Sequence, residues 1–153
     1  MQDQYMLLAI EQAKNAFSND EVPVGAVIID STTGVVLASS ANKMDKSNDP
    51  TAHAEINVIR EACRIKKSNR LIDCDLYVTL EPCPMCAQAI SFTRIRRLYF
   101  GAYDPKGGGV EHGPKIYNSS LCNHKPQIYG GICESVCSNL LKDYFKSKRY
   151  KNC

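Results

Sequence analysis

Two short segments restrict this chain more than anything else in it: Thr51-Ala52-His53-Ala54-Glu55 and Glu81-Pro82-Cys83-Pro84-Met85-Cys86. One imidazole and two thiols suit a borderline-soft cation such as Zn²⁺, and a Cys-x-x-Cys turn opening a helix sets two sulfurs around one tetrahedral ion. A fold that uses the three together must bring two helix starts to one point. A structural site normally closes with a fourth protein ligand, whereas three leave a position for water, the arrangement of a hydrolytic zinc site. Residues two apart on a helix point roughly 200° away from each other, so His53 and Glu55 do not naturally chelate one ion. Glu55 reads instead as a proton carrier. Taken alone, Cys-x-x-Cys also fits a redox pair or half a zinc ribbon, and His-x-Glu fits chance; their joint occurrence favours the catalytic reading.

The rest of the sequence has the means to build such a fold. At 153 residues it suits a single domain over 1–153 that buries about two thirds of its unfolded surface. With 44% hydrophobic and 23% charged residues it is an ordinary globule, which argues against disorder and low complexity. No apolar run approaches a membrane span, and Met1-Gln2-Asp3-Gln4 lacks the basic and apolar regions of a secretory signal, so a cytoplasmic protein without membrane association is expected. There the eight cysteines stay reduced. Two have a metal role; Cys63, Cys74, Cys122, Cys133 and Cys137 read as small hydrophobes and Cys153 as an exposed terminal thiol. A net charge of +3 says little about partners, but its distribution says more. Arg94, Arg96 and Arg97 cluster, and Lys142, Lys146, Lys148, Arg149 and Lys151 load the C-terminus, where they complement a helix dipole or meet a polyanion.

Met6, Ile10, Ala13 and Phe17 recur at helical spacing and predict an amphipathic first helix closing at Ser18-Asn19-Asp20. Residues 24–30 and 35–38, joined by turn chemistry at 31–34, predict a hairpin whose continuous apolar runs suit strands covered on both faces. Asn48-Asp49-Pro50-Thr51 supplies a turn and caps for a helix with Ile56, Ile59 and Cys63 on its buried stripe, placing His53 and Glu55 in the first turn. Residues 75–80 predict a strand, Pro84 a helix start, 97–101 a strand, 104–109 a flexible loop and 127–129 a short strand. Val136, Leu140 and Tyr144, with Cys133, Cys137 and Leu141 alongside, predict a last helix with one broad apolar face. Strands alternating with helices argue for a mixed sheet between helical layers.

The sequence resembles the bacterial tRNA adenosine deaminases, cytidine-deaminase-like enzymes that convert the wobble adenosine of a tRNA anticodon to inosine. The resemblance lies in 21–27, 49–55, 76–86 and 101–108, and more loosely in Asn123-His124 and in Tyr144-Phe145 before a basic C-terminus. The His-x-Glu and Pro-Cys-x-x-Cys pair is shared by zinc nucleobase deaminases as a class, so it bears on chemistry and leaves substrate to the flanks. The resemblance implies a three-layer α/β/α fold around a mixed five-stranded sheet, a homodimer, and one Zn²⁺ per subunit on His53, Cys83 and Cys86. It implies that Glu55 carries a proton from water to the purine ring and on to the departing amine, while Asn42, Asp104, Lys106, Asn123, Phe145 and Arg149 contact the anticodon stem-loop. Without it, Asn42 is a turn residue, Asp-Pro-Lys-Gly-Gly a good turn and His124 a structural donor. Phe145, Lys148 and Arg149 suit stacking on and neutralising a single-stranded loop. Two features depart from the pattern. Cys-Pro-Met-Cys also occurs in purine deaminases acting on free guanine, and Glu111-His112-Gly113-Pro114 is not the expected sequence after the glycines. A deaminase of free guanine or cytosine is the alternative enzyme, and a zinc-stabilised RNA-binding module the alternative without catalysis; a structural zinc needs no acid beside it, so Glu55 speaks against the module.

Overall fold

The computed structural model describes residues 2–151. Helix α1 (Gln2–Ser18) leads into strands β1 (Gly25–Asp30) and β2 (Val36–Ala41), the short helix α2 (Met44–Ser47), helix α3 (Ala54–Lys66), strand β3 (Cys74–Leu80), helix α4 (Pro84–Thr93), strands β4 (Arg97–Ala102) and β5 (Gln127–Tyr129), and helix α5 (Glu134–Lys151). The five strands form one sheet in the order β2-β1-β3-β4-β5. β1 runs antiparallel to β2 and β3, whereas β3, β4 and β5 are mutually parallel. The sheet is therefore mixed, as expected.

Alternation along the central strands divides the core in two. Ala26 and Ile28 of β1, Leu76 and Val78 of β3, and Leu98 and Phe100 of β4 face the layer of α3 and α4. Their neighbours Val27, Ile29, Tyr77 and Tyr99 face α1 and α5, where they meet Met6, Ile10 and Cys137. A period of two with both phases apolar is what a strand sandwiched between helical layers requires. Tyr77, Tyr99 and Tyr129 are register partners whose rings stack at 4.4 and 5.0 Å across β3, β4 and β5. Such cross-strand pairs help hold the parallel register.

The first helix lies directly on the sheet. A Cβ at Gly25 would run into the Ala9 carbonyl oxygen and come within 2.6 Å of the Ala13 nitrogen. Neither backbone can yield without lifting α1 off β1. Gly25→Ala is therefore expected to cost about 3 kcal/mol, measured by chemical denaturation.

The last helix differs from the sequence expectation. Cys137 and Tyr144 are buried, but Val136 is 49% exposed. One residue is about 100° of helix rotation, so a docking line that runs through Cys137 turns Val136 outward. Helix α2 was not legible at all, because four residues are too short for a periodic signal. Cys74 and Cys137 are buried and Cys63, Cys122 and Cys133 half-buried, all as free thiols; Cys153 lies outside the described residues. No helix among the described residues is long and apolar enough to cross a membrane.

Candidate metal centre and active-site cavity

The two motif segments meet at the end of the sheet where β2 and β3 finish. His53 is the N-cap residue of α3 and Cys83 that of α4, both in extended backbone conformation. Neither side chain caps its own helix. The capping bond of α3 comes instead from Asn42, just past β2, whose Oδ1 accepts the Ala54 N–H at 2.8 Å. His53 is thus one position ahead of the first turn expected for it. Freed from capping, its imidazole points across to the α4 start, where Pro84 sets the first turn and brings Cys86 back beside Cys83.

The donor geometry fits a tetrahedral ion. His53 Nδ1 lies 3.7 Å from Cys83 Sγ and 3.5 Å from Cys86 Sγ, and all three donor atoms fall within 4.8 Å of one another. Zinc bonds of about 2.3 Å to sulfur and about 2.0–2.1 Å to nitrogen set such atoms about 3.6 Å apart. No fourth His, Cys, Asp or Glu joins the group among the described residues.

The charges are arranged to match. A hydrogen bond from Cys86, seconded by one from His53, lowers the Cys83 thiol to about 4. The Cys86 thiol is pushed up, because it donates to the Cys83 sulfur and is buried. One thiolate therefore stands ready beside a thiol whose proton leaves when a cation arrives, and two helix N-termini face the pair. The Cys83 sulfur also raises the His53 imidazole above its ordinary value.

Glu55, in the first turn of α3, is 4% exposed. Burial, with repulsion from Cys83, raises its carboxyl to about 7. A carboxyl poised there takes and returns protons near neutral pH.

Glu55, His53, Cys83, Asn42 and Asp104 line one cavity of about 210 Å³, walled by Val22, Val24, Met44 and Leu80. It adjoins a groove of about 610 Å³ that shares Val22, Leu80, Asp104 and Gly107 and continues past Lys106 to Lys142, Phe145 and Arg149 on α5. Nine of the ten expected site residues are brought to this connected space or to the ligand cluster. Asn123 is not. It is exposed in the loop before β5, whose first residue pairs with the first residue of β4, at the end of the sheet opposite the metal centre. His124 beside it bonds the Ile95 carbonyl at 2.7 Å, the structural role open to a lone histidine.

Sequence reasoning missed two buried carboxylates that hold the cavity walls. Glu21 Oε1 accepts the N–H groups of Asp45 and Lys46 at 2.8 and 3.1 Å, which fixes α2 and with it Met44. The fully buried Glu81 accepts backbone N–H groups from Asp104, Val110, Glu111 and His112. The available signal was an acidic residue one or two positions ahead of a proline and beside apolar residues, Glu21-Val22-Pro23 and Leu80-Glu81-Pro82, where an unpaired charge would be costly.

This fold and this site define a zinc-binding deaminase: residues 1–102 match the family model of the cytidine and deoxycytidylate deaminase zinc-binding region. Within that class the chain belongs to the family of tRNA-specific adenosine deaminases. It is 52% identical over 145 residues to the tRNA-specific adenosine deaminase of Agrobacterium fabrum, an alignment covering 95% of this chain and 94% of that relative. A solved structure from a study of A-to-I editing by tRNA:A34 deaminases at the wobble position has a TM-score of 0.87 and 52% identity, covering 90% of this chain and 99% of that one. A guanine deaminase from Bacillus subtilis is less similar, with a TM-score of 0.62 and 37% identity over 65% of this chain and 63% of that one. The zinc-binding family and the His53, Cys83 and Cys86 group together fit one zinc ion per subunit.

Proposed function

We propose that residues 1–153 act as one deaminase domain that hydrolyses the wobble adenosine of tRNA to inosine and releases ammonia, as a cytoplasmic homodimer. The observation that carries this reading is the continuity between a cavity of about 210 Å³ holding Glu55 and the ligand cluster, and a basic, aromatic-edged groove leading out of it. A single base enters the first; the second suits a phosphodiester chain, with Lys106, Lys142 and Arg149 for phosphates and Phe145 for stacking. The zinc, when bound, supplies a water whose pKa falls towards about 7.

The chain's own groups do the rest. Glu55 would take one proton from that water and deliver it to the ring nitrogen next to the carbon attacked, then take the remaining proton of the added hydroxyl as the carbonyl forms and hand it to the amine, which leaves as ammonia. The balance is adenine and water to hypoxanthine and ammonia. Asn42 has committed its Oδ1 to the α3 backbone, which leaves its Nδ2 to donate to an acceptor on the base. Val22, Val24 and Leu80 keep bulk water from the reacting face. The homodimer reading is supported by α4, which presents Phe92 at 69% and Met85 at 37% exposure.

The test offers the purified protein an anticodon stem-loop with adenosine at the wobble position, beside free guanine, cytosine and cytidine, and scores each amine-to-carbonyl conversion by mass. Inosine in the stem-loop is the expected result. Turnover of a free base with the RNA intact would replace this reading with a small-molecule deaminase, and zinc-bound protein that holds RNA without turnover would replace it with a binding module.

A further inference from the structure

Glu81 sits between the last residue of β3 and the ligand Cys83, with its side chain entirely buried. Its two oxygens accept five hydrogen bonds, and every donor lies in one loop. Oε1 accepts the Asp104 N–H at 3.0 Å and His112 Nδ1–H at 2.8 Å. Oε2 accepts the N–H groups of Glu111, His112 and Val110 at 2.9, 3.1 and 3.3 Å. Both ends of loop 104–112 are thus tied to one carboxylate. The loop is drawn in so closely that a Cβ at Gly108 would collide with Glu81 Oε2. The loop carries the parts that matter for substrate: Asp104 and Gly107 line both the catalytic cavity and the groove, and Lys106 lines the groove.

We propose that Glu81 and His112 form a latch that sets the height of loop 104–112 over the cavity mouth, and thereby how tightly the target nucleotide is held. Both are positioning residues. Glu81, itself part of the cavity wall, spends both carboxylate oxygens on the loop, and His112, 34% exposed at its side chain, closes the set from outside. His112 belongs to the Glu111-His112-Gly113-Pro114 stretch that follows the glycines of the loop. The kinetic part of the inference rests on the proposed tRNA activity; the structural part does not.

The experiment compares wild type, His112→Leu, His112→Asn and Glu81→Gln as zinc-loaded full chains, reading hydrogen exchange at residues 104–112 and kcat and KM on the stem-loop. An asparagine places Nδ2 where the histidine places Nδ1, so it restores the donor that leucine removes. His112→Leu is expected to speed exchange across the loop and raise KM about tenfold with kcat unchanged, and His112→Asn to return both towards wild type. Glu81→Gln leaves backbone N–H groups without an acceptor and is expected to lower kcat/KM about 100-fold with zinc retained. Unaltered exchange and KM in His112→Leu, or equal defects in His112→Asn and His112→Leu, would overturn the latch. So would zinc loss in Glu81→Gln, since Glu81 would then act on Cys83. If wild type leaves the stem-loop untouched, the proposed function fails, and the exchange comparison still decides the latch.

Discussion

Glu55→Ala is expected to lower kcat on the stem-loop by about 10²–10⁴-fold, the range for loss of a positioned proton carrier, while the protein keeps its full zinc content. The separation of effects follows from geometry. His53 Nδ1 and the two sulfurs already have the spacing of a tetrahedral ion without any carboxylate, so nothing in the ligand set changes when Glu55 is cut back. What disappears is a buried group on the cavity wall whose carboxyl is raised to about 7, and with it the proposed route of protons from water to ring and amine. Glu55→Gln keeps the volume and removes only the proton exchange, so it should be as inactive as the alanine variant; activity in Glu55→Gln would assign Glu55 a packing role. Metal analysis beside the rate measurement completes the test, because zinc loss in Glu55→Ala would make Glu55 a ligand.

Cys86→Ala is expected to lose both zinc and turnover, and to melt lower. Cys86 is 0% exposed on the first turn of α4, and its sulfur is 3.5 Å from His53 Nδ1, so no water or neighbouring donor can stand in for it without opening the core. The two ligands left, His53 at the start of α3 and Cys83 at the start of α4, are too few to hold the ion, and the link it would make between the two helices is lost. An ion present at about 1,000 times its dissociation constant stabilises the fold by about 4 kcal/mol. For a chain of this size that corresponds to roughly 10 °C in melting temperature. Chelation of the wild type should produce the same fall, and chelation should add nothing to Cys86→Ala. A chelator-sensitive melt in Cys86→Ala would show that the ion is held elsewhere.

Much of the architecture was legible because its signals are local. The hairpin, the strands at 75–80, 97–101 and 127–129, and the helices opened by Pro50-Thr51 and Pro84 all appear close to their expected bounds, the largest difference being the second hairpin strand, which runs on to Ala41 rather than ending at 38. Expectations weakened where a residue's role depends on what lies across from it. Val136 carried the helical period yet faces solvent, because only the line of contact with the sheet selects among adjacent apolar stripes. Asn42 looked like a turn residue, and its capping bond to Ala54 spans 12 positions that no periodicity connects. Asn123 belonged to a recognisable pair but emerges at the far end of the sheet from the metal centre.

By itself the sequence determined the chemistry. Imidazole, two thiols and a carboxyl at the starts of two helices admit few reactions, because ligand softness and proton affinity are properties of residue types and short spacings. Tertiary structure alone decided how that chemistry is presented. Folding brought Asn42 behind His53, joined the cavity to the groove of Phe145 and Arg149, and set Glu21 and Glu81 to hold opposite walls. The two carboxylates hold those walls by accepting hydrogen bonds from backbone N–H groups more than 20 residues away. A backbone N–H is the same at every position, so the sequence carries no mark of which one a distant carboxylate will find.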